Sequence, residues 1–460
     1  MNLNAKKITS KIIYIIFFVL LFYLRIDLLF SNESSLSQQN PSEKSSIQNR
    51  LETHSFPKIF LQHQDPLLGK AEVRKMAKWD FLILDAEAVE KTTNFLGESG
   101  LIRSLNPNAV IVTYFSAGDI IPGNSAPINS GFITKLKNSW YMKDIYGARL
   151  LLFELIDDVW SEMLNLTTPV NNFMPKYLNK AILSKELVDG IFYDWIIDDI
   201  SWLNHRENAP CGPPDINNDG LPDTDEFLNS RWITGTKKML KKTDKHFPKD
   251  YLILGNSGGV TNDTYGDLLD GLMIEYFLGA DWAYMMRKHF LHLKNCRSPS
   301  LSMIMANGDK KDYQTVRYAL CSTLMFDGYF TYTNEGAYEA VWWYDEYAVK
   351  VKTGKAKAKL KYKGYLGDPL GDAFNINDSE QMLKDILLTE TYFEAGESVW
   401  RRDFTNGIVL INPSDNDITV NLEEKFRKIK GIYDKSFNNG KKVRRIDMKK
   451  RSGIVLLRLK

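Results

Sequence analysis

Eight short apolar runs rich in β-branched and aromatic residues recur between residues 59 and 333, and longer stretches of helical periodicity separate them. The runs cover 59–62, 81–85, 110–115, 190–195, 251–256, 271–276, 301–306 and 328–333, with helices expected over 171–183, 227–242, 282–293 and 313–324. Strands that alternate with crossover helices pair in parallel, and eight such units predict an α/β fold, a (β/α)8 TIM barrel. A doubly wound open sheet of the same elements is the alternative that pattern alone leaves open. Two further strand-like pieces, 148–154 and 162–167, flank Asp157 and Asp158 and read as a hairpin inserted between the third strand and the next helix.

At 460 residues the chain exceeds one barrel of ordinary length. The barrel is assigned to 56–384. From about 385 short strands joined by Asn-Gly and Pro turns predict a small C-terminal antiparallel β-sandwich domain, 385–460. The N-terminus is a different material. Lys6, Lys7 and Lys11 precede an apolar run over 12–24, which reads as an export signal within 1–30. Arg25 and Asp27 interrupt the run before 28–30, so a cleaved signal, giving a secreted protein, and an uncleaved anchor that holds the chain to a membrane through 12–30 both stay open. Residues 31–55, polar and serine-rich, read as a flexible tether.

Lysine plus arginine (59) nearly cancels aspartate plus glutamate (57), which leaves no field to gather nucleic acid. The three cysteines, Cys211, Cys296 and Cys321, lack metal-ligand spacing and allow at most one internal disulfide.

In a barrel the carboxyl ends of the strands line one mouth, so polar residues that end apolar runs are the first candidates for chemistry. Asp85, Ser116, Asp194, Asn256, Glu275, Asn307, Asn334 and Glu335 fall there. Asp194 and Glu275 stand out because each carboxylate is set among bulky apolar and aromatic neighbours, the setting that raises a carboxyl toward a general acid. Cleaving a glycosidic bond takes two carboxylates, one as nucleophile or base and one as proton donor. The pair is the expected catalytic set. Asp85, Tyr114, Trp195, Asn256, Tyr276, Asn307, Asn334 and Glu335 are the expected substrate contacts, the aromatic ones because flat rings suit the apolar faces of sugars. Asp198 and Asp199 read as a solvated loop or helix cap.

The segment Asp215 to Glu226 carries Asp215, Asn217, Asp219, Asp223 and Glu226 at positions one, three, five, nine and twelve of a loop with Gly220 at six and Leu221 at seven. That is the spacing of an EF-hand-type calcium loop. Pro222 argues for a lone loop, and calcium there would brace the chain that carries Trp202 and His205. No organic cofactor is expected.

Five segments stand out: Asp189-Gly-Ile-Phe-Tyr-Asp194-Trp195, Asp270-Gly-Leu-Met-Ile-Glu275, Trp342-Trp-Tyr-Asp-Glu-Tyr347, Tyr365-Leu-Gly-Asp-Pro-Leu-Gly371 and Trp400-Arg-Arg-Asp-Phe-Thr-Asn-Gly-Ile-Val-Leu-Ile-Asn-Pro413. Together they resemble the hypothetical glycosyl hydrolase family 15 group, barrel proteins akin to the endo-α-1,4-polygalactosaminidase family. The resemblance runs from roughly residue 57 to the end. It implies a barrel followed by a β-domain, glycoside hydrolysis of a polysaccharide or glycan, and Asp194 and Glu275 on the fourth and sixth strands. By analogy with retaining barrel glycosidases Asp194 is the nucleophile and Glu275 the acid/base, and the exchanged roles stay open. Two rival classes remain. One is a catalytically silent carbohydrate-binding surface protein on the same barrel. The other is a metal-dependent hydrolase, disfavoured because His54, His63, His205, His246, His289 and His292 show no two-His-plus-carboxylate pattern. His289 and His292, three apart on a helix, read as a solvated face.

Overall fold

The computed structural model describes residues 47–65, 69–86, 95–156, 159–207, 210–257, 264–334 and 338–459. The export segment and the first part of the tether lie outside these residues. All eight runs are strands: β1 (Phe60–His63), β2 (Phe81–Asp85), β3 (Val110–Ser116), β4 (Gly190–Asp194), β5 (Leu252–Asn256), β6 (Gly271–Ile274), β7 (Leu301–Asn307) and β8 (Tyr329–Thr333). They form one parallel sheet in sequence order. A parallel bridge between Ile59 and Phe330, with Phe330 N–H donating to Lys58 O at 3.1 Å, draws the sheet into a barrel. The open-sheet alternative is thereby excluded.

Helices cover the outside: α2 (Lys70–Met76), α3 (Phe95–Leu105), α4 (Val170–Ala181), α5 (Asp225–His246), α6 (Trp282–Asn295) and α7 (Tyr313–Thr323), preceded by α1 (Ile47–Glu52). After β5 the described chain holds only a 3-10 turn, Gly266–Leu268. Side chains alternate along each strand. Phe81, Ile83, Val112, Phe192, Met273 and Met303 fill the lumen, while Leu82, Ile111, Ile191, Ile253 and Ile304 pack under the helices. Both faces are buried, which is why the strands are near-continuous apolar runs.

Residues 47–52, expected within the flexible tether, are instead helical. In α1 Ile47 and Leu51, one turn apart, join the lumen cluster and close the amino-terminal end of the barrel. Arg50 reaches Asp189 at 2.5 Å, and Arg103 pairs with the same carboxylate at 2.8 Å. A polar composition hid this anchor because only two apolar side chains make it.

The expected hairpin is present. Strands Leu151–Ile156 and Val159–Met163 are antiparallel and extended by Asp119–Ile120, so a three-stranded flap stands above the end of β3.

The C-terminal antiparallel domain is one seven-stranded sheet built from β9 (Phe374–Asn375), β10 (Asp378–Met382), β11 (Trp400–Phe404), β12 (Gly407–Asn412), β13 (Ile418–Lys428), β14 (Lys442–Met448) and β15 (Ser452–Leu457), in the order β10-β9-β11-β12-β15-β13-β14. One face holds its own cluster, including Ile408, Leu410, Phe426 and Leu456, and the other continues the barrel core through Trp400, Val409 and Val455. Gly453 permits the approach of β15 to α7, since a Cβ there would lie 2.5 Å from Cys321 Cβ. Polar links fix the junction. Arg402 reaches Asp327 at 2.8 Å, Arg317 reaches Asp434 at 2.7 Å, and Asp345 accepts from the backbone N–H of Ile432 at 2.7 Å.

Candidate active site

The alternation that fills the lumen carries through to the strand ends. In β4 Phe192 points inward, so Asp194 does too; the same parity places Asn256 two residues after Leu254, Glu275 two after Met273, and Tyr114 two after Val112. Four neighbouring units therefore aim polar side chains at one point. Tyr114 donates its hydroxyl to Asp194 Oδ2 at 2.6 Å, and the Trp195 N–H donates to Oδ1 at 2.8 Å. Asn256 Nδ2 donates both to Asp194 Oδ1 at 3.0 Å and to Glu275 Oε2 at 2.6 Å. Two oxygens held by one nitrogen lie no further apart than the sum of those distances, about 5.6 Å. Tyr338 donates to the other oxygen of Glu275.

Burial pushes the Glu275 carboxyl above its ordinary range, and the nearby charge of Asp194 pushes the same way; the donors Tyr338 and Asn256 pull back without cancelling it. The site thus favours the protonated form of Glu275 more than water does. Asp194 receives three donors on its two oxygens, from Tyr114, the Trp195 N–H and Asn256. The hydroxyl of Tyr114, buried against both acids, is held firmly protonated and remains a donor.

The remaining expected contacts are distributed around the rim. Asp85, half-buried, ends β2 in register with Tyr114. Asn307 ends β7, and its Oδ1 is buried with no hydrogen-bond partner among the described residues. Asn334 follows β8 and takes the Thr333 hydroxyl at 3.3 Å. Tyr276 is half exposed, while Glu335 lies outside the described residues. Asp199 behaves as a loop cap, accepting from Ser201 N–H at 2.9 Å and Asn229 at 2.9 Å.

Sequence reasoning missed Tyr338 and Asp119. Tyr338 belongs to the loop after β8, and its carbonyl accepts from Gln64 N–H at 2.9 Å, a tie across the barrel seam that no local pattern announces. Asp119, on the flap, accepts the Ser116 hydroxyl at 2.5 Å and hydrogen-bonds the side chains of Ser161 and Trp195; burial raises its carboxyl above the usual range. The polar end of β3 pointed to Ser116 but not to its partner.

The solvated reading of His289 and His292 is corrected. Both are buried between α6 and the barrel, His289 against Ser302 at 2.7 Å and Thr323 O at 3.2 Å, because this face of α6 packs inward. Burial holds them neutral, at about 4 and about 3. All three cysteines are free.

In the loop after β4, Asp215 accepts from Asp219 N–H at 3.0 Å and Gly220 N–H at 2.8 Å, and Asp223 accepts from Ile216 N–H at 2.5 Å. Burial, with the charges of Asp215 and Asp219, raises the Asp223 carboxyl, a concentration of negative charge that a cation would relieve. Leu221 and Glu226 face solvent, and among the described residues no group of three or more His, Cys, Asp or Glu side chains is gathered as a metal set. Asp215, Asn217, Asp219 and Asp223 each accept from backbone N–H groups of their own loop, and Glu226 stands exposed apart from them. Among the described residues no helix is long and apolar enough to cross a membrane, and 12–30 lies outside them.

The sequence model described as hypothetical glycosyl hydrolase family 15 matches residues 104–408, about two thirds of the chain and the part that holds both carboxylates. No curated protein matches the chain. Among solved structures, an α-amylase from Geobacillus thermoleovorans complexed with acarbose is 11% identical, with 88% of this chain and 98% of that one covered at a TM-score of 0.40. A GH31 dextranase from Flavobacterium johnsoniae complexed with glucose is 12% identical, covering 87% of this chain and 51% of that one at 0.41. A maltogenic α-amylase from Thermotoga neapolitana is 11% identical, covering 88% and 99% at 0.41. At such identity and TM-score the likeness bears on neither substrate nor mechanism.

Proposed function

From the premise that this chain belongs to hypothetical glycosyl hydrolase family 15, we propose that it cleaves O-glycosidic bonds in a polysaccharide or glycan by a retaining, two-carboxylate mechanism. The observation that carries the reading is the single Asn256 nitrogen shared by Asp194 and Glu275, which limits their facing oxygens to about 5.6 Å. Retaining enzymes hold their carboxyl groups about 5 to 5.5 Å apart, and inverting ones about 6.5 to 9.5 Å, because a water must fit between.

In the first step an Asp194 oxygen bonds to the anomeric carbon while the bond to the leaving oxygen breaks and Glu275 gives that oxygen its proton. In the second, water attacks the same carbon, Glu275 takes the water's proton, and the ester to Asp194 breaks. Two inversions restore the starting configuration. Asn256 and Tyr114 orient the nucleophile, and Asn256 and Tyr338 orient the acid. Asp85, Asn307, Asn334 and Glu335 are proposed rim contacts to sugar hydroxyls, with Trp195 and Tyr276 as ring contacts.

A glycan panel with the purified domain tests this. Hydrolysis with retained anomeric configuration by NMR, lost in both Asp194→Asn and Glu275→Gln, is expected. Activity that survives either change removes the assignment, and glycan binding without hydrolysis favours a silent binding protein. The Asp215 to Glu226 loop is proposed to hold a structural calcium ion. Calcium should then raise the melting temperature of chelated protein, and an unchanged melting temperature rejects it. Export, with 12–30 as signal or anchor, is tested by fractionating cells that express the full chain.

A further inference from the structure

Three aromatic rings from three separate segments meet beside Asp194. Phe153 comes from the inserted flap, Trp195 directly follows Asp194, and Trp202 lies in the 3-10 turn Ser201–His205. Their centroids are 5.8 Å (Phe153 to Trp195), 6.3 Å (Trp195 to Trp202) and 6.5 Å (Phe153 to Trp202), with the two Trp202 pairs stacked. Such a cluster would ordinarily be buried, yet Phe153 is 47% and Trp202 36% exposed.

The cluster is also built. Trp195 has φ +66, a left-handed conformation that costs a non-glycine residue energy and that turns its N–H onto Asp194. Its side chain is tied to Asp119. Gly118 makes room for it, since a Cβ there would sit 2.5 Å from the Trp195 ring. Arg206 lies 6.0 Å over Trp202 and donates to Leu151 O at 2.5 Å, fastening the 3-10 turn to the flap.

We propose, building on the glycosidase reading, that Phe153, Trp195 and Trp202 form a sugar subsite next to the cleaved bond, so that the substrate class is a glycan of two or more rings. A pyranose has one apolar C–H face, which covers an exposed aromatic ring while its hydroxyls stay in water. The platform starts one residue from the nucleophile. A ring seated there therefore belongs to the same chain as the ring at Asp194. The flap that carries Phe153 is an insertion into the barrel, so chain-length preference is a property of that insertion.

The test compares a pentasaccharide with the glycosyl fluoride of the same sugar, whose leaving group carries no ring. The sugars are α-1,4-glucose, β-1,4-glucose, β-1,4-N-acetylglucosamine and α-1,4-galactosamine. Phe153→Ala and Trp202→Ala should each lower kcat/KM on the cleaved pentasaccharide roughly tenfold and change the fluoride reaction by less than about twofold, with Trp202→Tyr restoring most of the loss. Both side chains are partly exposed, and matching thermal melts confirm folding. Equal losses on both substrates, or none on either, overturn the subsite. If no pentasaccharide is hydrolysed, the catalytic reading fails separately. Calorimetric titration of the same pentasaccharides then decides: binding weakened roughly tenfold by Trp202→Ala supports the subsite, and absence of binding overturns it.

Discussion

Replacing Glu275 with glutamine should abolish activity and at the same time stabilise the fold at pH values where Glu275 is ionised. Two carboxylate oxygens no more than about 5.6 Å apart repel by about 3 kcal/mol at an effective dielectric constant of about 20. Glutamine removes the cost of burying the Glu275 charge and, with it, that repulsion. Its oxygen can still accept from Asn256, and its NH2 can donate to the Tyr338 hydroxyl, although both bonds lose charge assistance worth about 1 to 2 kcal/mol together. The net gain once Glu275 is ionised is about 1 to 2 kcal/mol, or about 1 to 2 °C in melting temperature for a chain of this length. The sign with pH follows from the raised carboxyl of Glu275. A group raised in the fold contributes stability that is fully present below its unfolded value of about 4.3 and lost as pH rises through the folded value. Glu275→Gln has no such loss. Its advantage should be absent near pH 4, open as the pH rises through the Glu275 titration, and then stay constant. Scanning calorimetry of both proteins between pH 4 and 8 reads this directly. Equal melting temperatures throughout the range, or a gain that persists unchanged at pH 4, would refute the raised Glu275 carboxyl on which the acid role rests.

Tyr338→Phe removes a donor that favours ionised Glu275, so the basic limb of the kcat/KM profile should move to higher pH; movement to lower pH would contradict the role given to this hydroxyl. Asp189→Ala strands the buried Arg50 guanidinium and also frees Arg103 and the Ile111 N–H, for an expected loss of about 3 to 5 kcal/mol in denaturant unfolding. A loss under about 1 kcal/mol would show that α1 does not brace the barrel floor. Gly118→Ala forces Trp195 to move and should lower stability by about 1 to 3 kcal/mol, and a neutral outcome would mean that the indole is not seated against the flap.

The barrel was legible because parallel strands buried on both faces must be apolar throughout, and eight such runs leave few alternatives. Asp194 and Glu275 were legible for a related reason: a charged residue at the end of an apolar run is anomalous, and strand parity fixes where it points. The Trp342 to Tyr347 segment was equally visible, but its use was not. Asp345 and Glu346 serve the junction with the C-terminal sheet, a role set by partners about ninety positions away. Tyr338, Asp119 and Phe153 escaped for the same reason. Each lies on a loop or flap where no periodicity binds residue type to direction, and each gains its meaning from a neighbour in another segment. The sequence by itself determined the strands, their order and the strand-end places of Asp194 and Glu275, because hydrophobic period and chain connectivity are local. The tertiary structure alone decided that one asparagine joins the two acids, that three aromatic rings gather beside them and that a helix closes the barrel floor, because those depend on distances between segments that the chain does not place side by side.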